Sequence, residues 1–389
     1  MSDSPFIYGN TVSSEAFTNR KAEIKKLYNN LIQGINTMII SPRRWGKTSL
    51  VEKVVNNIKR KNKDHKTVII DLFSVSSEKE FLETFAGEVI KVSSNKWEEW
   101  IDNSKNFFRQ LIPKISFGID PYSDFSLSFE WEELQKHSNE ILNLPEVIAK
   151  KKNIRFIICL DEFQNTASYP GFLDFEKKMR AVWQRQKLVT YCLYGSKRHM
   201  MADIFNNPSK PFYRFGDMIL LEKINTKDWI SFIINSFAKT GKMIEKTDAA
   251  IIPKLMKNHP WYVQQLAHYT WNLTDQKATV EEIKKALEEV IYANTPFYQK
   301  EIETMSPTQI NLLKAVASGK VQLTSTEVMQ KYKLGTPRNV LKNKKILIKN
   351  DVIENTGNTI NFLDPAFEIW FKKQFFNQSF EEQIWKKES

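Results

Sequence analysis

The sequence predicts an α/β protein built on a mostly parallel, doubly wound sheet, followed by a helical segment and a small helix-rich domain. Three observations predict it. Five short apolar runs of strand length punctuate the first 221 residues: Met38–Ile40, Thr67–Phe73, Arg155–Leu160, Leu188–Tyr194 and Met218–Leu221. Stretches with apolar residues at helical spacing separate most of them, which is the alternation that gives parallel sheets. Beyond residue 225 the strand pattern stops, and helical periodicity runs almost without interruption to residue 350.

In chain order, the segment to about Ser14 reads as irregular. Ile24, Leu27, Leu31 and Ile32 then mark a helix. After Met38–Ile40 comes Ser41-Pro-Arg-Arg-Trp-Gly-Lys-Thr48, and after that Leu50, Val51, Val54, Val55 and Ile58 spaced as one helix face. Lys59–Lys66 reads as a basic, solvated loop. From Glu78 to Lys150 the pattern is mainly helical. The interruption is Phe117–Trp131, where Phe125, Leu127, Phe129 and Trp131 alternate with polar residues as in a hairpin.

The loop between the first strand and its helix has the length of G-x-x-x-x-G-K-[ST], the P-loop or Walker A pattern. A phosphate chain needs inward backbone N–H groups, a helix N-terminus and one reaching cation. Gly46 permits close backbone approach, Lys47 can reach β- and γ-phosphates, and the Thr48 hydroxyl can ligate Mg²⁺. Ser41 stands where the pattern has its first glycine. The competing reading is a chance Gly-Lys-Thr opening an ordinary helix, and the strand before it and helix after it weigh against that.

Arg155–Leu160 ends in Asp161-Glu162, which puts two carboxylates at the C-terminal edge of a buried strand, where open α/β sheets bind ligands. In this Walker B position Asp161 can hold Mg²⁺ and Glu162 can orient an attacking water. Taken alone it reads as an ordinary strand end. The next apolar run ends in Gly195-Ser196-Lys-Arg198, and Ser196 and Arg198 are candidates to sense a γ-phosphate. A turn with surface charges is the alternative.

These motifs resemble the archaeal-type ATPases of the STAND branch of the AAA+ superfamily. The likeness rests on Ser41–Ser49, Leu160-Asp-Glu-Phe-Gln164, Gly195-Ser196 and Asn258-His-Pro260-Trp-Tyr262. It extends to Phe17-x-Asn19-Arg20-x-x-Glu23-Ile24 and Leu363-Asp-Pro365-x-Phe-x-x-Trp370, so it covers nearly the whole chain. The resemblance implies a nucleotide-binding core, a helical lid and a C-terminal winged helix-turn-helix. It implies that Phe17, Asn19 and Arg20 lie near adenine, and that His259 and Pro260 close over the nucleotide together with the loop Ser41, Pro42, Arg43, Arg44, Trp45, Gly46, Lys47, Thr48 and Ser49. The family's usual Gly-Arg appears here in altered order, as Tyr213-Arg214-Phe-Gly216.

Local signals support the later segments independently. Trp229, Phe232, Ile233 and Phe237 share a helix face, and Pro260 marks a helix boundary after His259. Ser306-Pro-Thr-Gln309, Thr324-Ser-Thr-Glu327 and Thr336-Pro337 are three helix starts. Asn355–Asn358 turns between Val352-Ile353 and Ile360–Phe362 as a wing. The helix after Thr336 carries Arg338, Lys342, Lys344, Lys345 and Lys349 with no acid, a candidate recognition helix for DNA. Protein docking is the other established use of a winged helix.

Composition bounds the rest. The 389 residues allow three parts: a core over 1–224, a lid over 225–298 and a winged helix over 299–389. No apolar run reaches membrane-spanning length, the opening MSDSPFIYGN lacks the regions of a signal peptide, and Cys159 and Cys192 sit inside strand candidates, as in a reduced cytoplasm. Five scattered histidines give no metal-ligand spacing, and the net charge of +12 is compatible with an acidic partner without specifying one. The reading is a cytoplasmic, Mg²⁺-dependent ATP-binding and hydrolysing switch, with a winged helix that contacts DNA or a protein and an oligomeric state left open. Its alternative is a DNA-binding regulator or docking scaffold for which nucleotide is a ligand only.

Overall fold

The computed structural model describes residues 3–9, 20–93, 115–118, 126–129, 136–357 and 359–379. The chain divides into two compact units: Arg20–Glu222, and Lys223–Ser389 joined by the N-terminal segment.

The first unit is the α/β core. Its strands are β1 (Thr37–Ile40), β2 (His65–Asp71), the pair β3 (Ile115–Gly118) and β4 (Ser126–Phe129), then β5 (Arg155–Asp161), β6 (Val189–Gly195) and β7 (Asp217–Leu220). Five of them form one parallel sheet in the order β2-β5-β6-β1-β7. Each matches an apolar run read from the sequence. β3 and β4 pair antiparallel, as the hairpin expectation requires, while Phe125 and Trp131 lie outside the described residues. Continuous apolar strands bury both faces, as parallel sheets demand. All four residues of β1 and all seven of β6 are buried. Cys159 and Cys192 are register partners on β5 and β6, and both are buried free thiols.

The topology follows from where the chain returns. β6 lies between β1 and β5, so the loop after β1 and the Asp-Glu after β5 are two strand spacings apart, roughly 10 Å. Strand direction is shared, so the ends of β1, β5 and β6 lie along one edge. Gly216, before β7, is there for space. A Cβ on it would sit 2.0 Å from the Asn36 carbonyl oxygen, the atom that accepts the Asp217 N–H at 2.8 Å.

The second unit is mainly helical. Helices Thr226–Lys239, Lys246–Leu255, Pro260–Leu273 and Val280–Glu303 precede helices Pro307–Ala317, Thr326–Lys331 and Pro337–Lys349. An antiparallel wing, Ile353–Thr356 with Thr359–Phe362, and a final helix, Pro365–Phe376, complete it. Two caps read from the sequence form, Ser306 with Gln309 as a capping box and Thr336 onto the Asn339 N–H, while the start expected at Thr324 falls one residue later, with Ser325 accepting the Val328 N–H. The N-terminal segment, which carries no periodic signal, is anchored here. Phe6 is buried against Phe232 and Phe237, and Tyr8 packs on Trp261 and His268.

The expected boundary at 298/299 lies inside the Lys223–Ser389 unit. Helix Val280–Glu303 runs unbroken through it, and one buried core continues from Trp229 and Leu266 to Leu312, Val340 and Phe371. Tyr262 donates to Asp364, and Tyr298 donates to the same carboxylate at 3.4 Å. Asp364 also caps the last helix by accepting the Phe367 N–H at 2.9 Å. Two of the motifs that carried the family resemblance, Asn258–Tyr262 and Leu363–Trp370, therefore meet inside this unit. No described helix is long and apolar enough to cross a membrane.

Candidate nucleotide-binding site

The site starts from Gly46. It sits at φ 85°, a left-handed conformation open to glycine, and caps the N-terminus of helix Lys47–Lys61. Arg44 also takes a positive φ, 65°. Ser41 does not, which answers the departure from the pattern: this position makes no demand that only glycine meets. Its side chain is fully buried, and its hydroxyl donates to the Pro42 carbonyl at 3.1 Å.

Lys47 and Thr48 reach across the sheet edge to the end of β5. Lys47 Nζ lies 2.9 Å from Glu162 Oε1 and 3.9 Å from Asp161 Oδ1. Thr48 Oγ1 donates to Asp161 Oδ2 at 2.8 Å. From β6, which separates the two strands, Ser196 Oγ donates to Glu162 Oε2 at 2.8 Å. Five of the expected residues thus converge. Arg198 opens helix Arg198–Asn206 and is exposed, two residues beyond Ser196.

The electrostatics separate the two carboxylates. Burial pushes Asp161 up to about 6, against Lys47, the Thr48 hydroxyl and the Glu162 N–H, which all favour its charged form. Burial also acts on Glu162, but Lys47 and the donors Gln164 and Ser196 outweigh it and hold this carboxyl below its ordinary value. Glu162 has a left-handed backbone, φ 51°, an uncommon state for a non-glycine residue and one that often marks a working position.

One contributor escaped the sequence reading of the site. Gln164 is fully buried, and its amide donates to Glu162 Oε2. It reaches back because Phe163–Ser168 winds into a 3-10 turn directly after Glu162. It also explains Gly195, where a Cβ would sit 1.8 Å from Gln164 Oε1. Only the Asp-Glu-Phe-Gln spacing could have pointed to it. Arg20 is among the expected site residues. Its guanidinium is buried and donates to the Trp45 carbonyl at 3.3 Å and to Glu23 at 3.0 Å, bracing the loop from behind. Phe17 and Asn19 lie outside the described residues. Pro42 and Trp45 are buried, Arg43 and Arg44 exposed, and Ser49 buried in the first helical turn. In the other unit, His259 is buried at the N-cap position of helix Pro260–Leu273, its ring 5.0 Å from that of Tyr262.

The donor set fits a hard divalent cation. Asp161 and Thr48 offer oxygens on one side of Lys47, and Mg²⁺ is commonly held by one or two protein oxygens, with water and phosphate supplying the rest. Among the described residues no group of three or more His, Cys, Asp or Glu could form an all-protein metal site.

A parallel sheet with a glycine-capped helix after one strand and paired carboxylates after another is an α/β P-loop NTPase fold, here with a C-terminal winged helix. Comparisons agree. The family described as "Probable winged helix domain" matches residues 296–373. The chain is similar to the Walker-type ATPase PABY2304 of Pyrococcus abyssi, at 17% identity over 95% of this chain and 99% of that one, with a TM-score of 0.64. It is also similar to the ORC2 protein of Aeropyrum pernix in its ADPNP–ADP complexes, at 13% identity over 96% and 98% of the two chains, with a TM-score of 0.54. At these identities the likeness is one of fold. No curated protein matches the sequence.

Proposed function

We propose that the chain binds Mg·ATP on the Ser41–Ser49 loop and hydrolyses it, acting as a nucleotide-driven switch. The observation that supports this most is the convergence of Lys47, Thr48, Asp161, Glu162 and Ser196 before one helix N-terminus. Lys47 and the loop N–H groups hold the phosphates. Thr48 and Asp161 hold Mg²⁺, which when bound neutralises charge on the β- and γ-oxygens. Glu162 is the group that orients the attacking water. Its carboxyl is ionised and already fixed by Ser196 and Gln164. Arg198, exposed at the same strand end, is a second candidate to meet the γ-phosphate.

Phosphate release and ATP binding by wild type, Lys47→Ala and Glu162→Gln test this. The expected pattern is turnover by wild type only, binding lost in Lys47→Ala, and binding kept in Glu162→Gln. Equal ATP binding by all three without turnover would leave nucleotide as a ligand only.

The winged helix supplies the output. Helix Pro337–Lys349 exposes Arg338, Lys342, Lys345 and Lys349 and half-exposes Lys344, a surface suited to duplex DNA. An affinity for duplex that falls with salt, with a slope flattened by neutralising Arg338, Lys342 and Lys345, is the expected result. One observation favours protein docking instead. Leu341 is 53% and Val321 49% exposed, beside a cavity of about 290 Å³ lined also by Leu323, Val340, Lys344 and Ile360. Salt-independent or undetectable duplex binding would select that second reading.

A further inference from the structure

Helix Val280–Glu303 buries Ile283, Ala286, Leu287, Val290, Ile291 and Tyr298 in the core of its unit. Its outer face carries two aromatic rings in solvent, Tyr292 at 83% exposure and Phe297 at 71%. At about 100° per residue, Glu289, Ala293, Pro296 and Lys300 run down the middle of this face, with Tyr292 on one flank and Phe297 on the other. All six positions are exposed. Single exposed apolar residues are ordinary, whereas two rings flanking Ala293 and Pro296 form a patch.

Pro296 belongs to the same picture. Inside a helix it removes the N–H that would bond the Tyr292 carbonyl. The helix continues to Glu303 nonetheless, and the side chains of Asn294 and Thr295 bond back to the Val290 and Ile291 carbonyls at 2.7 and 2.8 Å. Proline and alanine at the centre of this face leave the backbone open to close approach.

We infer that this face is a homotypic contact, on which a second copy of the chain lays the same helix antiparallel across a two-fold axis. An axis passing beside residues 294 and 295 sets Glu289 opposite the partner subunit's Lys300, and Lys300 opposite the partner subunit's Glu289. Ala293 then meets the partner subunit's Pro296 at the point of closest approach. The two Tyr292 rings meet on one flank and the two Phe297 rings on the other. Every contact occurs twice, as an isologous interface requires. The charge order selects this arrangement: parallel pairing would set glutamate on glutamate and lysine on lysine. It also favours self-association over a foreign partner, since opposite charges equidistant from the aromatic centre complement their own reversal. Aromatic anchors ringed by polar pairs are the usual anatomy of such a contact.

Sedimentation velocity of the full chain over a concentration series tests the inference, with thermal melts confirming that each variant is folded. Wild type is expected to pass from monomer to dimer. Glu289→Lys and Lys300→Glu should each weaken association roughly ten- to a hundredfold by setting like charges together. The double variant, which exchanges the two charges, should regain wild-type association. Tyr292→Ala with Phe297→Ala should leave a monomer. A wild type that stays monomeric, a double variant no better than the singles, or a dimer indifferent to loss of both rings would each overturn the inference.

Discussion

Two buried ionic clusters in this chain use the same materials to different ends. In the Arg20–Glu222 unit, one lysine serves two carboxylates: Lys47 is 2.9 Å from Glu162 and 3.9 Å from Asp161. In the other unit, one carboxylate has two lysines. Glu368 accepts from Lys257 on one oxygen and from Lys372 on the other, and is 6% exposed. The second cluster is closed. Both lysines outweigh the burial of Glu368 and hold its carboxyl below the ordinary value. The first is one cation short, and Asp161 bears the consequence at about 6. A glycine-capped helix N-terminus stands beside it. Charge balance, more than burial, separates a site from a strut.

The largest expected effect that bears on this difference is on turnover. Glu162→Gln should lower phosphate release by roughly 10² to 10⁴, the range that a positioned acid or base supplies. The melting temperature should change little, because losing a carboxylate that Lys47, Gln164 and Ser196 favour is offset by relief of Asp161, which Glu162 pushes up. A parallel loss of stability would mean that Glu162 is also a strut, and the comparison would fail. Glu368→Gln should do the reverse. It leaves Lys257 and Lys372, 42% and 23% exposed, around a neutral group, a loss of about 1–2 kcal/mol once solvent screening of the lysines is counted. Denaturant unfolding should record that loss, while turnover per folded molecule stays near wild type. Smaller again is Gln164→Leu. It removes a donor from Glu162 without touching the phosphate loop, so kcat should fall roughly ten- to a hundredfold through misplacement of the carboxylate. ATP affinity measured by titration should remain, and a matching loss of affinity would place Gln164 in binding.

Much of this was legible because the constraints are local. Five apolar runs became five strands, since a strand buried on both faces can be little else. The convergence of Lys47, Thr48, Asp161 and Glu162 was legible because both motifs stand at the ends of parallel strands in one sheet. The helix starts at Ser306 and Thr336, and to within one residue the start at Ser325, were readable because orphan N–H groups demand a cap. The rest depended on packing. Phe6 and Tyr8 stand in a stretch without periodicity, and only their neighbours on helices Thr226–Lys239 and Pro260–Leu273 show that they are anchored. Gln164 joins the site through a turn that no periodicity announces. The single core of the Lys223–Ser389 unit is tied by Tyr262 and Tyr298 reaching one carboxylate, Asp364, 102 and 66 residues further along the chain. Sequence spacing carries no record of such a meeting.

A third buried carboxylate sharpens the comparison at the smallest scale. Glu176 is fully buried on helix Phe172–Trp183, and burial lifts its carboxyl to about 7 against the pull of Lys210 and the Phe212 amide. In the unfolded chain its value is the ordinary 4.5. Below that pH both states carry the proton, and Glu176 contributes no pH dependence. Between 4.5 and about 7 the unfolded chain releases the proton while the folded one keeps it, so stability falls as pH rises, and the loss is complete above 7. Glutamine imitates the protonated acid. Glu176→Gln should therefore add roughly 1–3 kcal/mol near pH 8 and nothing near pH 4, read from paired denaturant curves at the two pH values. An equal effect at both would mean that packing, not charge, sets the cost. If the gain appears only at high pH, the order holds through all three glutamates. Glu368 with two cations and Glu162 with one are held low, and Glu176, whose nearest help is outweighed by burial, is pushed high.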